Sequence, residues 1–588
     1  MSSKALIASR VILAGLLAYQ TVKLAKRPAV KTLLTKLLLV YPVRAMLPAV
    51  WAIVMARWYR LAQVDRASSI AAVLNVIIRR LARVYISVEA VFFILYLYEK
   101  WRLERRIASP PWDPAETGLT RKQFLVKVLD SLQQVNADTC DQVHTSTPLF
   151  RSSQDLSQHS PSSSSIQRDK SIGANLVLSS SRTFRERRAD SFLRDFQDQT
   201  EEWAGDEEVA MLVLRRSVFT SWFNTADLEL YRRGNLDSFL CEAFFEGRLV
   251  AELELNEKTE LAELSDYASD WMGVNLKDGF NAKVGHISLR NDPLPARYRP
   301  LLVYLGTHVI VPHLTTGLLS AMGFNRLNSG SLGYWHKKAQ SIAQPIIFAH
   351  GLGVGVLPYM QFIRDLCGLF PDREVFIVDL PFIAMRPTVL PSSREVAVCV
   401  EDMLRIHGHR KAHIVGHSYG TAFLAWLMRR ATHLVASVSF LDPICFLLLK
   451  PDLAINTLYP KHETPLSAVF SYWVTGELYI AHTLTRNFRW QDNTVWPEDL
   501  KVPSLVALSA DDYLVPALSV RYHIEREIRK RERGSRPQDV SLSTNSPLDL
   551  LWVEDAFHGQ FLVDGVVREK ILCAVRGTIQ KASTLAVG

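Results

Sequence analysis

A serine held between glycines, a pair of aspartates in one turn and a histidine near the end of the chain are the parts of a nucleophilic relay. Ser418 stands in Gly416-His417-Ser418-Tyr419-Gly420, a G-x-S-x-G pattern that closes an apolar run and opens a helix-like one. In such a turn the serine is held in a strained backbone conformation, the glycines let neighbouring backbone approach, and the first N–H groups of the helix face a developing anion. The bland alternative is an ordinary serine in a glycine-rich turn. A hydroxyl is a weak nucleophile by itself and needs a base, and the base needs an acid to orient it. In the chain order serine, acid, histidine, the acid falls in Ser509-Ala-Asp-Asp-Tyr-Leu-Val-Pro516. Asp512 is favoured there, Asp511 is its neighbour, and Asp442, after the preceding apolar run, is the main rival. Two histidines lie downstream of Asp512. His523 falls in the charged helical stretch 519–530 and reads as solvated. His558, in the loop Glu554-Asp-Ala-Phe-His-Gly-Gln-Phe561, stands where the base belongs.

Positioning these groups requires a scaffold, and the chain supplies its rhythm from about Gly330 onward. Apolar runs at 345–350, 375–379, 413–418, 438–442, 504–508 and 549–553 alternate with helix-length segments such as 396–407 and 421–432. Continuous apolar strands alternating with helices predict a mostly parallel sheet covered on both faces, an α/β architecture whose ligands gather at the carboxyl ends of the strands. Ser418, Asp442, Asp512 and His558 all follow such runs. Between Asp442 and Ser504 about 60 residues lack strand rhythm and are rich in aromatics, among them Phe446, Tyr459, Phe470, Tyr472, Trp473, Tyr479, Phe488, Trp490 and Trp496. This stretch (443–500) reads as a helical cap whose aromatics line an apolar acyl pocket or pack the cap on the body. Tyr459–Lys461 and Arg486–Arg489 are candidates for guiding an anionic headgroup.

Over about 330–580 these motifs resemble the α/β-hydrolase fold superfamily, and within it the membrane-associated α/β-hydrolase-domain proteins of lipase and esterase type with long N-terminal extensions. The features that carry the resemblance are the His350-Gly351-Leu352-Gly353 turn, Asp379-Leu380-Pro381, Ser418 in its elbow, and the Asp512/His558 pair. The resemblance implies a serine hydrolase of esters or lipids that uses neither metal nor organic cofactor. It implies that Ser418, Asp512 and His558 form the triad and that the Leu352 and Tyr419 amides form the oxyanion hole. His350, Gly351, Gly353, Gly416, His417 and Gly420 would support the two turns. A glycine-rich loop without a role is the alternative for the His-Gly turn. Two departures stand out. Residues 525–547 form a charged insertion between acid and base, and no His-x4-Asp box occurs, which weakens an acyltransferase reading. The competing functions are acyl transfer by the same triad and a non-catalytic hydrolase-fold adaptor on lipid surfaces.

The first third of the 588 residues is chemically different. Residues 1–110 carry a net charge of +14, against −5 for the remainder. Those cations interrupt greasy runs (11–22, 45–56, 67–78), whereas nucleic-acid arms are polar, so anionic lipid headgroups are the better partner and nucleic acid is set aside. Windows at 6–22 and 83–98, the latter around Glu89, are long enough to span with snorkelling ends. Cations rather than a small-residue cleavage site follow the first run, which predicts a retained anchor. The stretch 301–324 carries no Asp, Glu, Lys or Arg and reads either as a further span or as a buried or interfacial helix pair. The resulting organisation is a basic, membrane-associated helical region at 1–106, and a linker at 107–183 that contains a short amphipathic helix (Phe124 to Leu132) and a Ser-rich disordered segment from about Ala137. A mostly helical region at 184–329 and the hydrolase-like domain at 330–588 follow. Six scattered cysteines without a CxxC or Cys/His cluster exclude a disulfide scaffold, suggest no zinc site, and fit a reducing compartment. An intracellular membrane, the endoplasmic reticulum or a lipid droplet surface, is the expected location, with a lipid or ester as substrate.

Overall fold

In the computed structural model, residues 70–105, 112, 114, 118–146, 207–340, 343–460, 465–534 and 547–587 are described. The window at 6–22, the runs at 11–22 and 45–56 and the part of the Ser-rich segment after Ser146 lie outside these residues. Eight strands form one sheet: β1 (Asn325–Ser329), β2 (Leu332–Lys337), β3 (Ile346–Ala349), β4 (Val375–Asp379), β5 (Ala412–His417), β6 (Val435–Leu441), β7 (Ser504–Ser509) and β8 (Leu548–Val553). Their order is β1-β2-β4-β3-β5-β6-β7-β8. β2 is antiparallel to both neighbours and every other pairing is parallel. β3, β4, β5 and β7 are buried at every position, which is why they read as unbroken apolar runs instead of alternating ones. Along β3 the side chains still sort by twos. Ile346 and Phe348 join helices Met360–Leu369 and Gly565–Val587 on one face, and Ile347 and Ala349 join Ser393–Ile406 and Gly420–Arg430 on the other.

The β1–β2 hairpin is not among the six strands expected from the sequence. β1 (Asn-Arg-Leu-Asn-Ser) is an edge strand exposed at four of its five positions, so it needs no apolar alternation, and Gly330 (φ 54°) turns it into β2. The sheet therefore begins at Asn325, and position 330 lies in the hairpin turn.

The helices before the sheet share its core. In helix Arg121–Ser146, Phe124, Leu125, Leu129 and Leu132 are buried as the amphipathic pattern requires. They belong to the same continuous hydrophobic cluster as helices Arg233–Phe244 and Leu255–Met272 and one face of the sheet. The helix runs on from Asn136 to Ser146, into the stretch expected to be a linker. That stretch is polar but lacks Gly and Pro up to Ser146, so nothing local ends the helix. His523 also departs from expectation. It is buried on the inner face of Ala517–Gly534 beside Val520 and Ile524, and burial pushes its pKa down to about 4. The charges of that helix occupy its outer face and conceal the inner one in the sequence.

Two helices, Arg80–Glu104 (part of Ile70–Glu104) and Leu301–Ala321, are long and apolar enough to cross a membrane, and only 11% of each is buried. The 301–324 stretch thus forms a single exposed helix with a wide turn at Gly306–Ile310 in place of a buried helix pair. The two helices meet where Glu89, 2% exposed, accepts hydrogen bonds from the Leu301 amide at 3.1 and 3.2 Å and from the Tyr298 hydroxyl. Tyr96, Leu103 and Tyr304 then pack against Leu478 and Ala481 of the cap.

Candidate active site

β5 ends at His417 and the next helix begins at Gly420, leaving Ser418 at the tip of the turn with φ 54°. A side chain in this left-handed region is strained, and the surroundings impose it. A Cβ on Gly420 would collide with the Ala349 carbonyl oxygen and lie 2.7 Å from that of His350, and one on Gly416 would lie 2.5 Å from Leu424. Only glycine lets the turn sit this close to β3.

The turns after β7 and β8 bring the acid and the base to the same edge of the sheet. Ser418 Oγ lies 2.9 Å from His558 Nε2, and His558 Nδ1 lies 2.7 Å from Asp512 Oδ2. A carboxylate only accepts, so Nδ1 carries the proton and Nε2 is left to accept from the serine. The other Asp512 oxygen accepts the Leu514 and Val515 amides at 2.8 and 2.9 Å, which fixes the carboxylate before it meets the imidazole. Burial opposes a charged imidazole, but the Asp512 charge and hydrogen bond, with Asp442 behind, outweigh it and hold His558 above the ordinary histidine value.

Asp442 is not on the imidazole. Its carboxylate takes the Ser509 amide (2.8 Å) and hydroxyl (3.1 Å) and the Gly559 amide (2.8 Å), tying the acid-bearing turn to the histidine loop. Burial, with the Asp512 charge next, raises its pKa. Asp511 is half-buried, and its amide donates to the Ala556 carbonyl.

The His350-Gly351-Leu352-Gly353 turn lies directly across from the serine, since a Cβ on Gly351 would be 2.8 Å from Ser418 Cβ. Among the described residues no acceptor takes the Leu352 or Tyr419 amide. Gly351 and Gly353 donate to Tyr359 Oη and the Ile383 carbonyl. His350 is fully buried and neutral, because burial pushes it down to about 4, and it bridges the Gly351 carbonyl and the Leu380 amide. His417 and Tyr359 add a layer beneath the serine. The Tyr359 hydroxyl accepts the Gly351 N–H at 2.8 Å and shares a hydrogen bond with His417 Nδ1 at 2.7 Å. Sequence reading missed Tyr359, which has no pattern to mark it in Val356-Leu-Pro-Tyr359.

Above the serine is a cavity of about 100 Å³. Its cap walls are Ile444, Leu448, Leu453, Leu458, Phe488 and Trp490, and Leu352, Ser418 and Tyr419 form its floor. The remaining wall comes from far upstream: Trp222, Phe239, Glu242, Ile287 and Arg290. Of the nine cap aromatics, only Phe488 and Trp490 line the cavity, while Phe446, Tyr472 and Trp496 are buried in packing. Arg486 is no headgroup guide, because its guanidinium donates to the Leu289 and Asp292 carbonyls at 2.6 Å each. Tyr459 donates to Asp292, and Lys461 lies outside the described residues.

Two groups of described residues bring metal-type ligand atoms within 4.8 Å of one another: Asp442/Asp512/His558, and His336/Glu374/His407 at the opposite end of the sheet. Hydrogen bonds already engage the first group. In the second, Glu374 Oε2 accepts from His336 (2.8 Å) and from the neighbouring His409 (3.2 Å), and His407 Nε2 lies 3.1 Å from the Tyr334 hydroxyl.

Residues 344–464 match the family model described as alpha/beta hydrolase fold, and the mostly parallel sheet with helices on both faces is of that fold. Solved structures to which the chain is similar include a membrane phospholipase A described as a bacterial virulence factor (15% identity, covering 47% of this chain and 94% of that one, TM-score 0.32). Others are the monoacylglycerol lipase of Paleococcus ferrophilus (16%, 43% and 99%, 0.29) and the carboxylesterase CesB of Bacillus subtilis (15%, 45% and 97%, 0.31). No curated protein sequence matches the chain.

Proposed function

We propose that this protein is a membrane-associated serine hydrolase that cleaves carboxylic esters, with lipid esters as its substrates. The observation that carries the reading is the unbroken line Ser418–His558–Asp512, at 2.9 and 2.7 Å, opening into an apolar cavity. In this reading His558 Nε2 takes the hydroxyl proton as Ser418 Oγ attacks the ester carbonyl. Asp512 holds the imidazole tautomer and stabilises the imidazolium. The Leu352 and Tyr419 amides face the tetrahedral oxyanion. The imidazolium returns its proton to the departing alcohol, leaving an acyl-serine. Water, deprotonated by the same imidazole, then releases the acid and frees the serine.

Membrane association is supported by the two exposed apolar helices and the basic balance of residues 1–110. Their contact with the cap through Leu478 and Ala481 would put the cavity close to the lipid. The test is labelling of the membrane fraction with a fluorophosphonate probe. Ser418 in the wild-type chain should be labelled, the Ser418→Ala protein should not, and turnover of p-nitrophenyl butyrate should disappear with the label. Equal turnover by the two proteins would sink the assignment. Carbonate-resistant recovery in the membrane pellet is the expected result for the anchor, and release to the supernatant would refute it.

A further inference from the structure

Ester cleavage leaves one group in the cavity without a task. Arg290 lines the same enclosure as Ser418 and Tyr419. Its residue is 8% exposed, yet its Nη1 has no hydrogen-bond partner and the side chain forms no ion pair among the described residues. Arginine does not escape this cost by losing its proton, and a buried cation without a partner is expensive.

Two acids lie within its electrostatic reach, Glu242 and Glu246, and neither fills the role; Glu246 accepts the Trp112 amide at 2.9 Å and Arg248 Nη2 at 3.3 Å. Glu242 also lines the cavity, but its oxygens are occupied by the Ser288 hydroxyl (2.6 Å), the Arg290 backbone amide (2.8 Å) and the Asn291 side chain (3.2 Å). Two inward-facing arginines of this region spend hydrogens on protein acceptors: Arg486 on two carbonyls, Arg121 on the Phe244 carbonyl and Glu260. Arg290 keeps Nη1 unspent, and its residue lines a space whose wall combines Leu448, Leu449, Leu453 and Leu458 with Glu242, Thr457 and Thr485.

We infer that the cavity takes an amphiphilic ester carrying an anionic oxygen group, a phosphate or a carboxylate, which pairs with the Arg290 guanidinium while the apolar chain lies along the leucine wall. The fork of a guanidinium matches either group through two parallel N–H···O bonds. This rests on the reading of Ser418 as the nucleophile for the word ester, but the anion site itself does not need that reading. Its experiment is accordingly built in two parts.

Binding of decyl phosphate, decanoate and decanol to the full-length protein in neutral detergent is measured by titration calorimetry, and Ser418 labelling by the fluorophosphonate probe is followed on the same samples. At least one of the two anions should bind about ten-fold more tightly than decanol, as a charge-assisted pair in a dry site predicts. Which of the two does so separates phosphate from carboxylate recognition. Arg290→Met should erase the preference and Arg290→Lys should restore part of it, with labelling of Ser418 in each variant reporting that the cavity is folded. Decanol binding as tightly as both anions overturns the inference, as does an anion preference that survives in Arg290→Met. An anion preference that depends on Arg290 in a protein whose Ser418 is never labelled upholds the site and removes the hydrolase reading instead.

Discussion

The two ends of the cavity are built on opposite plans. At the floor the side chains of the relay are engaged before any ligand arrives, while the Leu352 and Tyr419 amides stay open: Ser418 is on His558, His558 on Asp512, Asp512 on two amides, and Asp442 on Ser509 and Gly559. At the wall, Arg290 is buried with an unanswered Nη1. Preorganisation suits groups whose partners are always present, because a fixed dipole costs no rearrangement during reaction. An unanswered charge suits a group whose partner comes and goes. In the proposed reading the floor decides rate and the wall tells substrates apart.

Substitutions should divide along this line. The largest effect is expected at Ser418→Ala, where kcat/KM should fall by about 10⁴-fold or more, since little beyond binding and the oxyanion hole survives loss of the nucleophile. Asp512→Asn comes next, at about 10³–10⁴-fold, because the amide favours the wrong imidazole tautomer. Its pH profile sharpens the comparison. His558 must be neutral to act as a base, and its partners hold it above the ordinary value, so wild-type kcat/KM on a soluble ester should decline as pH falls through a point above 6.5. Removal of the Asp512 charge should move that acid limb to lower pH; a limb that stays put would detach Asp512 from the imidazole. Gly420→Ala should cost about 100-fold, since its Cβ would force the elbow away from β3 and misplace Ser418, and a melting curve should drop with it. The smallest effect is at the wall. Arg290→Met should lower the kcat/KM ratio of an anionic over a neutral long-chain ester by about ten-fold, expressed mainly in KM. A uniform loss in kcat would place Arg290 with the floor and erase the distinction.

The floor was legible in the sequence and the wall was not, for a physical reason. The strands before Ser418 and Asp512 are buried at every position, and the edge strand before His558 is half-buried and mostly apolar, so each appears as an apolar run with its polar residue soon after it. Spacing alone leaves Asp442 as a rival because it too follows such a run; only the backbone of the Asp512 turn, folding two amides onto one carboxylate oxygen, turns the other oxygen to His558. Arg290 sits 128 positions before Ser418 in an irregular segment, and no local periodicity signals its arrival over the serine. His523 was misread because the charges of its helix conceal a narrow buried face, and β1 was missed because an exposed edge strand has no apolar signature.

Glu89 gives the long helices a mechanical property. Its carboxylate is the rivet that joins one helix, midway along its length, to the opening turn of the other through the Leu301 amide and the Tyr298 hydroxyl. If the pair lies in a bilayer, as proposed, prying it apart would strand an acid and an amide in a medium with no water to receive them. Tilting or lifting one helix would then carry its companion along, as a single strut against the cap.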